Sequence, residues 1–346
     1  MKVPKALKRD LLIHISTLVS GGITLLEAVS SFEGGKNNPV FQDMLEKFKT
    51  ELASGKSFSS CLIGYSENFT NFETGMIRVG EETGRLAEIL ETITEYQEEL
   101  DDTVSMVIGS LIYPTILISL AFFVIAFLIT FVLPKYKTVF QRSKIELPGI
   151  SSIMLYIGDF IWEYGLAVLL AVTIISGVIL EYFSTEEGKY NLDRFLDEIP
   201  GISVFVRELT LLVYCKSMAV MLKNGLPVLQ ATDLIIEVLN NRYFRGKIIE
   251  CREEVARGID FSQSMASTNY FPTMDIQLFT AGEKTGELGK CLEKLSGFHK
   301  KRLINIIKYS TTLIEPLMLI FLGLVVSVIA LSVFLPMFDM IRILRK

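Results

Sequence analysis

The sequence predicts an all-α, polytopic membrane protein with two homologous cytoplasmic helical bundles of about six helices each and three transmembrane helices. Long uncharged segments interrupt the 346-residue chain, and 50% of its residues are hydrophobic. The polar sequence before the first uncharged segment is repeated before the last one. Apolar residues in both polar parts recur at helical spacing, and the alternation typical of strands is scarce.

Changes in composition divide the chain into polar domains and spans. The predicted first helical domain is 1–102 and the second is 183–308. The remaining predicted segments are transmembrane helices at 103–134, 159–182 and 309–338, a short extracytoplasmic loop at 135–158 and a short tail at 339–346.

Two of the predicted spans are strongly supported by composition. No charged residue occurs within 103–134 or within 316–338. A hydrocarbon core about 30 Å thick needs about 20 helical residues, so both segments can cross it. The uncharged run 164–180 is shorter, and the alternative for it is a buried helix of a soluble domain. Aromatic residues flank this run, as they flank spans at membrane interfaces, so we predict that it is the second of three spans.

The cysteines and histidines indicate no metal site. The four cysteines, which lack metal-like spacing, are Cys61, Cys215, Cys251 and Cys291. All lie in the polar domains, and we expect them to be reduced, with both domains facing a reducing cytoplasm. We expect His14 and His299 to lie on helix surfaces or to be partly buried. Residues 1–10 are polar and basic and are followed by an amphipathic segment, so no cleavable signal peptide is expected.

The two polar domains are copies of one unit. A shift of 202 residues places VGEETGRLAEIL, 79–90, on AGEKTGELGKCL, 281–292. The same shift, without a gap, aligns Leu111, Ile112, Pro114 and Pro134 with Leu313, Ile314, Pro316 and Pro336. Upstream, a shift of 203 aligns Gly55, Phe58 and Ser59 with Gly258, Phe261 and Ser262. Repetition over this distance indicates that a domain was duplicated together with its span.

Both copies begin helices at equivalent places by different means. Thr24 with Glu27 and Thr70 with Glu73 fit the capping box, in which a threonine and a glutamate three residues later satisfy each other's backbone donors. In the second copy the two threonines are replaced by prolines, Pro227 and Pro272. Proline suits the first helical position, so the same helix starts are predicted in both domains.

The repeated motif supplies the candidate site residues. They are Gly80, Glu81, Thr83 and Gly84 in the first copy and Gly282, Glu283, Thr285 and Gly286 in the second. The structural interpretation is a tight turn in which Gly80 ends one helix and Thr83 caps the next. Glu81 and Glu283 have two interpretations, which the sequence leaves open: they bind backbone N–H groups at the start of the next helix, or they face a binding partner.

No cofactor, metal or catalytic site is predicted. The segment GEKTGE contains a Lys-Thr pair, but Glu283 stands where a phosphate-binding loop requires its last glycine. We found no set of nucleophile, base and orienting acid in either domain.

Three residues mark the membrane edge. Glu315 precedes Pro316 at the mouth of the third span, and its counterpart in the first copy is Tyr113, before Pro114. An acid at this depth is a functional candidate, although it can also reach interfacial water. The two prolines are expected to kink or begin their spans.

Charge differs between the domains. Residues 1–102 carry 10 basic and 17 acidic residues, and residues 183–308 carry 17 basic and 16 acidic residues. An acidic run leads into the first span and a basic run into the third. Charged runs of this kind form solvated helix faces, pair with other helices or contact lipid headgroups.

Two polar helical domains, each with G-E-x-T-G-x-L and each followed by a span with proline at both ends, resemble the type II secretion F / type IV pilus C family of inner-membrane platform proteins. The resemblance covers nearly the whole chain. It implies a non-enzymatic component of a pilin-fibre machine in the bacterial inner membrane. The implied partners are a cytoplasmic assembly or secretion ATPase, pilin or pseudopilin subunits, other inner-membrane components, further copies of the chain and membrane lipid, but not nucleic acid.

One feature opposes the topology that the resemblance implies. The loop after the first span carries Lys135, Lys137, Arg142 and Lys144. The positive-inside rule would place this loop in the cytoplasm and both polar domains outside. We predict the opposite orientation, in agreement with the family and with the cysteines.

Two other functional classes compete with the platform protein. A small membrane transporter or channel component needs a polar pathway, but the first and third spans contain almost no polar residues beyond Ser and Thr. A membrane-anchored enzyme or sensor needs a catalytic set, for which nucleotide turnover dependent on Lys284 would be the test. The platform protein is therefore the preferred hypothesis.

Overall fold

The computed structural model of the chain describes residues 3–65, 67–127 and 185–344, together with single positions from 131 to 183. The regular secondary structure of these residues is helical, and no strand occurs among them, which confirms the predicted all-α fold class. The predicted loop 135–158 and the predicted second span 159–182 lie mostly outside the described residues, as do Pro134 and residues 345–346. The predicted segment boundaries remain predictions.

Among the described residues, the first polar domain is built from six helices. They are α1 (Lys5–Ser20), α2 (Leu25–Ser30), α3 (Pro39–Ala53), α4 (Phe58–Ile63), α5 (Asn71–Thr83) and the beginning of α6 (Leu86–Phe127). The second domain repeats them in order and adds α7 in front. Its helices are α7 (Glu186–Glu198), α8 (Ile202–Lys223), α9 (Val228–Val238), α10 (Arg242–Ala256), α11 (Phe261–Ser267), α12 (Thr273–Thr285) and the beginning of α13 (Leu288–Leu344).

The predicted helix starts are confirmed. Thr24 with Glu27 and Thr70 with Glu73 both form complete capping boxes at α2 and α5. Pro227 and Pro272 stand at the equivalent helix starts of the second domain. Each is the N-cap residue rather than the predicted first helical residue, because the helices begin at Val228 and Thr273. Different local devices therefore set the same helix boundaries in the two copies.

The described chain divides into two compact units. One unit consists of Met1–Val104 and Lys189–Ile304, and it contains both polar domains. A single cluster of buried apolar side chains runs through both of them and includes Phe48, Phe72, Tyr214 and Phe279. Rings such as Phe48 and Phe58, with centroids 5.9 Å apart, pack edge to face. The other unit consists of Ser105–Gly188 and Asn305–Lys346.

Two described helices are long and apolar enough to cross a membrane. They are Leu86–Val124, with a mean hydropathy of 2.2, and Leu288–Ser327, with a mean hydropathy of 1.8. Among the residues searched they correspond to the first and third predicted spans. Pro114 lies inside α6 and Pro316 inside α13, so neither proline begins a helix.

Candidate functional site: a repeated helix corner and its buried charges

The repeated motif forms the corner between α5 and α6 and between α12 and α13. Gly84 and Gly286 follow the last helical residues and have left-handed backbones, with φ of 70° and 71°. Arg85 N–H donates to the Gly80 carbonyl at 2.8 Å, and Glu287 N–H donates to the Gly282 carbonyl at 2.8 Å. This is the Schellman arrangement, in which a left-handed glycine lets the chain satisfy the last carbonyls of a helix.

Gly80 and Gly282 have a different role from the predicted one. Neither ends a helix: both lie inside α5 and α12 and are buried. A Cβ atom on Gly80 would lie 3.1 Å from Leu86 Cα, and one on Gly282 would lie 2.9 Å from Leu288 Cα. The first glycine of the motif therefore allows the two helices to cross closely, and the second makes the turn.

Thr83 and Thr285 also differ from the prediction. Thr83 Oγ1 donates to the Val79 carbonyl at 2.7 Å, and Thr285 Oγ1 donates to the Ala281 carbonyl at 2.9 Å. Both threonines are the last residues of their helices and do not cap the next one. Each hydroxyl bonds back to the carbonyl four residues earlier in its own helix, as threonine side chains commonly do within helices.

Glu81 reaches back to the start of α4. Its carboxylate accepts hydrogen bonds from Phe58 N–H, from Ser59 N–H at 3.2 Å and from Ser59 Oγ at 2.5 Å. Ser57 Oγ accepts from Ser60 N–H at 3.3 Å, so the first three donors of α4 are all satisfied. A carboxylate here also interacts favourably with the partial positive charge of a helix N-terminus.

Glu283 makes the same contacts in the second domain. It accepts from Phe261 N–H at 2.6 Å, from Ser262 N–H at 3.0 Å and from Ser262 Oγ at 2.6 Å. Of the two open interpretations, this geometry favours helix capping, but the capped helix is the preceding one rather than the next one. Capping α4 and α11 ties each short helix to the corner.

Sequence reasoning missed the serines in this arrangement. Ser59 and Ser262 were aligned as part of the repeat, together with the phenylalanines before them, but they were not connected with the glutamates. The available signal was that both the Phe-Ser pair and the acid recur in both copies. Their proximity requires tertiary structure, because the two partners lie 22 residues apart in the first copy.

Replacing Glu81 or Glu283 with alanine is expected to lower the free energy of unfolding by about 1–2 kcal/mol, the usual cost of losing a helix N-cap. The measurement is thermal or denaturant unfolding of the full chain in detergent micelles. Glu82→Ala is the matched control, since Glu82 is the exposed neighbour of Glu81, and a change within about 0.5 kcal/mol is expected there. Unchanged stability in both Glu variants would instead support carboxylates that face a partner.

A second pair of equivalent positions carries buried charge. Glu73 and Asp275 occupy the same place in α5 and α12, and each is only 2% exposed. In the first domain Lys8 Nζ lies 2.7 Å from Glu73, and Gln97 donates to the same carboxylate oxygen. The carboxylate of the first domain is therefore neutralised by a lysine on α1.

The second domain uses a histidine instead. His299, at the place of Gln97, is 1% exposed, so the predicted helix-surface or partly buried position is wrong. Its Nε2 lies 3.0 Å from Asp275 Oδ2 and its Nδ1 lies 2.6 Å from Glu208 Oε2. Burial opposes a charged imidazole, but hydrogen bonds with Asp275, Cys215 and Glu208 outweigh it and raise the pKa of His299 to about 11. His299 is thus a cation held between two buried carboxylates.

The cysteines are all free, and three of them are buried. Burial raises the pKa of Cys61 to about 11 and that of Cys251 to about 12. Because the thiolate is the reactive form, neither thiol is suited to nucleophilic chemistry or to labelling. Within the described residues no group of three His, Cys, Asp or Glu side chains could hold a metal ion.

The two polar domains contact each other through different surfaces. Tyr96 OH and Ser217 Oγ are 2.7 Å apart and buried, and Lys216 Nζ lies 2.5 Å from Glu99. Leu234 of α9 packs so closely on Gly75 of α5 that a Cβ there would lie 2.7 Å from Leu234 Cδ1. Asn71 donates a hydrogen bond to Glu237 at the end of the same contact.

A groove of about 300 Å³ lies along this contact and is lined by residues of both domains. Its cations are Arg85, Lys216 and Lys223. Each is paired: Arg85 with Glu88, Lys216 with Glu99, and Lys223 with Glu293 at 2.8 Å. The groove is therefore a charge-balanced seam between the domains rather than an anion site.

The membrane-edge residues lie further along the helices that begin at the corner. Glu315 and Pro316 lie in α13 and Pro114 lies in α6, and in each case they follow the corner by more than 25 residues of helix. Pro114 is buried and Pro316 is exposed. A functional role for Glu315 remains a prediction.

Comparison with known proteins identifies relatives along most of the chain. The family described as type II secretion system (T2SS), protein F, matches residues 11–134 and again residues 214–336. Type IV pilus assembly protein PilC of Pseudomonas aeruginosa is 26% identical over 328 residues, which cover 94% of this chain and 88% of that protein. Type II secretion system protein F of the same organism is 26% identical over 337 residues, covering 96% and 83%. PilC of Thermus thermophilus is 26% identical over 329 residues, covering 95% and 81%.

Proposed function

Because the chain belongs to the type II secretion system protein F family, we propose that it is the inner-membrane platform protein of a type IV pilus or type II secretion-like machine. The observation that carries the proposal is the pair of matched segments, 11–134 and 214–336. Each contains one polar helical domain and the apolar helix that follows it. Relatives named for pilus assembly and for secretion both cover more than nine-tenths of the chain, so the proposal does not choose between these systems.

The polar domains are the proposed docking unit for a cytoplasmic assembly ATPase. Two homologous domains on one side of the membrane suit a symmetric or rotary partner better than a single small substrate. The apolar helices are the proposed contact for pilin or pseudopilin subunits as they leave the bilayer. The chain itself needs no catalytic residues in this scheme, because the ATPase supplies the energy.

Helix continuity gives the proposal a mechanical basis. α6 is one helix of 42 residues and α13 is one helix of 57 residues. Both begin in the corner motif and continue into apolar sequence that is long enough to span a bilayer. A helix transmits torque and displacement along its axis, so movement of the polar domains would reach the pilin-facing segments through α6 and α13.

The proposed location is the bacterial inner membrane with both polar domains in the cytoplasm. All four cysteines are free, which is the state that a reducing cytoplasm maintains. The predicted second span, at 159–182, would return the chain to the cytoplasmic side between the two domains.

Deletion of the gene tests the proposal. We expect the deletion strain to lose pili or secreted protein and the full-length gene to restore them. A deletion strain that still assembles fibres and secretes normally would contradict the platform function. Co-purification of the ATPase with the wild-type chain, and its loss when either polar domain is removed, tests the partner assignment separately.

A further inference from the structure

The contact between the two polar domains joins unlike surfaces. We define face A by Asn71 and Gly75 on α5 and Tyr96 and Glu99 on α6. We define face B by Lys216 and Ser217 on α8 and Leu234 and Glu237 on α9. Face A of the first domain binds face B of the second domain, and the contact is therefore heterologous.

Since the domains are copies, each has both faces, and the contact within one chain uses only half of them. The shift of 202 residues places face A of the second domain at Thr273, Gln277, Phe298 and Lys301. The shift of 203 residues places face B of the first domain at Ile13, His14, Ser31 and Gly34. The core supports this alignment, because buried Leu11, Leu12 and Ile15 correspond to buried Tyr214, Cys215 and Met218.

The unused face A exposes large apolar side chains. Phe72 and Tyr96, which pack together at 4.9 Å in the first domain, are 2% and 5% exposed. Their counterparts Met274 and Phe298 are 40% and 44% exposed among the described residues. Large apolar side chains are thus exposed in the second domain at the positions that lie beside or within the contact in the first.

The unused face B shows the same difference. Ser217 is fully buried in the second domain, whereas its counterpart His14 is half-buried in the first. Ile13, the counterpart of Lys216, is 37% exposed. Exposed apolar side chains grouped in this way are typical of surfaces that bind another protein.

The charges of the two unused faces are complementary. Face A of the second domain carries Lys301 at the place of Glu99. On face B of the first domain, exposed Asp10 lies three residues before Ile13 and so on the same side of α1. The existing contact pairs an acid on face A with a lysine on face B, and the unused faces reverse this polarity.

From these observations we infer that face A of the second domain binds face B of the first domain in a second copy of the chain. The contact repeats the one within the chain: Phe298 packs against His14 and Ile13, and Lys301 faces the acidic side of α1. Each copy then binds one neighbour through face A of its second domain and another neighbour through face B of its first domain, so copies join head to tail. Such an interface generates a ring when its rotation closes. The inference does not rest on the proposed function.

The test is cross-linking between two differently tagged full-length copies in native membranes. One copy carries Gln277→Cys and the other carries Ser31→Cys, since these positions correspond to the touching pair Gly75 and Leu234. Both positions are exposed. Half-buried Cys291 is replaced with serine, and the three buried native cysteines are kept. Bis-maleimidoethane is expected to join the two tags when the copies are expressed together.

Two controls make the result specific. A single chain with Gly75→Cys and Leu234→Cys should cross-link within itself and shows that the geometry is reached. Copies carrying Lys47→Cys and Glu250→Cys, which are exposed equivalent positions on α3 and α10, should not cross-link to each other.

Phe298→Asp should abolish the link between copies and leave the link within the chain unchanged, which shows that the fold is intact. If the internal pair reacts but the two tags are not joined, the inference is overturned, and the two faces would bind a different protein. A link between two Gln277→Cys copies would also overturn it, because that result indicates a symmetric dimer. So would a link that persists in Phe298→Asp.

Discussion

His299→Ala is expected to lower the free energy of unfolding by about 3–5 kcal/mol, the cost of breaking a buried ion pair. The imidazole lies between Asp275 and Glu208, and both carboxylates are buried. Removing it leaves two acids with one remaining cation, Arg302, which lies 3.4 Å from Glu208. An uncompensated buried charge costs much more than the pair itself contributes.

The measurement is unfolding of the full chain in detergent, with the equivalent Gln97→Ala as the matched control. Gln97 contacts Glu73, but Lys8 continues to neutralise that carboxylate at 2.7 Å. The loss for Gln97→Ala should therefore be clearly smaller. Equal losses for the two variants would show that His299 acts through packing rather than through charge.

The same histidine gives stability a defined dependence on pH. Its pKa is raised from 6.5 to about 11 in the folded chain, so its contribution is complete below pH 6.5 and is lost as the pH rises towards about 11. The wild-type melting temperature should fall more steeply than that of His299→Gln as the pH is raised from 6.5. Parallel curves for the two proteins would contradict a charged imidazole in the folded state.

Breaking the continuity of α6 is expected to abolish fibre assembly without unfolding the polar domains. Asp101, Asp102, Val104 and Ser105 are exposed and lie within a little more than one turn of this helix. Four glycines there weaken the helix by about 4 kcal/mol relative to four alanines. The polar domains would then move without transmitting the movement to the apolar part of the helix.

Complementation of the deletion strain measures this effect. The quadruple alanine variant removes the same side chains and keeps a strong helix, so it should assemble fibres. The quadruple glycine variant should still bind the ATPase but assemble none. Normal assembly by the glycine variant would show that α6 is not the mechanical link.

The sequence predicted those features that depend on neighbouring residues and on the repeat. The two capping boxes are local, and the duplication was visible because its register holds from Gly80 through Pro114. The roles within G-E-x-T-G were partly misassigned because both glycines suit a helix end. Only the backbone shows that Gly84 adopts the left-handed conformation, whereas Gly80 lies where two helices cross.

Long-range contacts were beyond sequence reasoning. Nothing in the hydrophobic pattern indicates that Glu81 reaches Ser59 or that His299 meets Glu208, which lies 91 residues away. A signal existed in the repeat, where Glu73 and Gln97 correspond to Asp275 and His299. Substitution at both positions of a pair suggests contact, but a single sequence does not separate contact from coincidence.

Membrane orientation tests the central claim most directly. Native Cys61 and Cys251 are unsuitable reporters because both are buried. Ser60→Cys and Gln263→Cys are equivalent exposed positions on α4 and α11, and each can be introduced singly into a chain with Cys291→Ser. A membrane-impermeant maleimide is added to intact cells and, as the accessibility control, to lysed cells.

The platform function predicts that both reporters are protected in intact cells and labelled after lysis. This result would place the polar domains in the cytoplasm, where an ATPase can reach them. Labelling of both reporters in intact cells would mean that the basic loop 135–144 sets the orientation, and the proposed coupling to a cytoplasmic ATPase would be wrong.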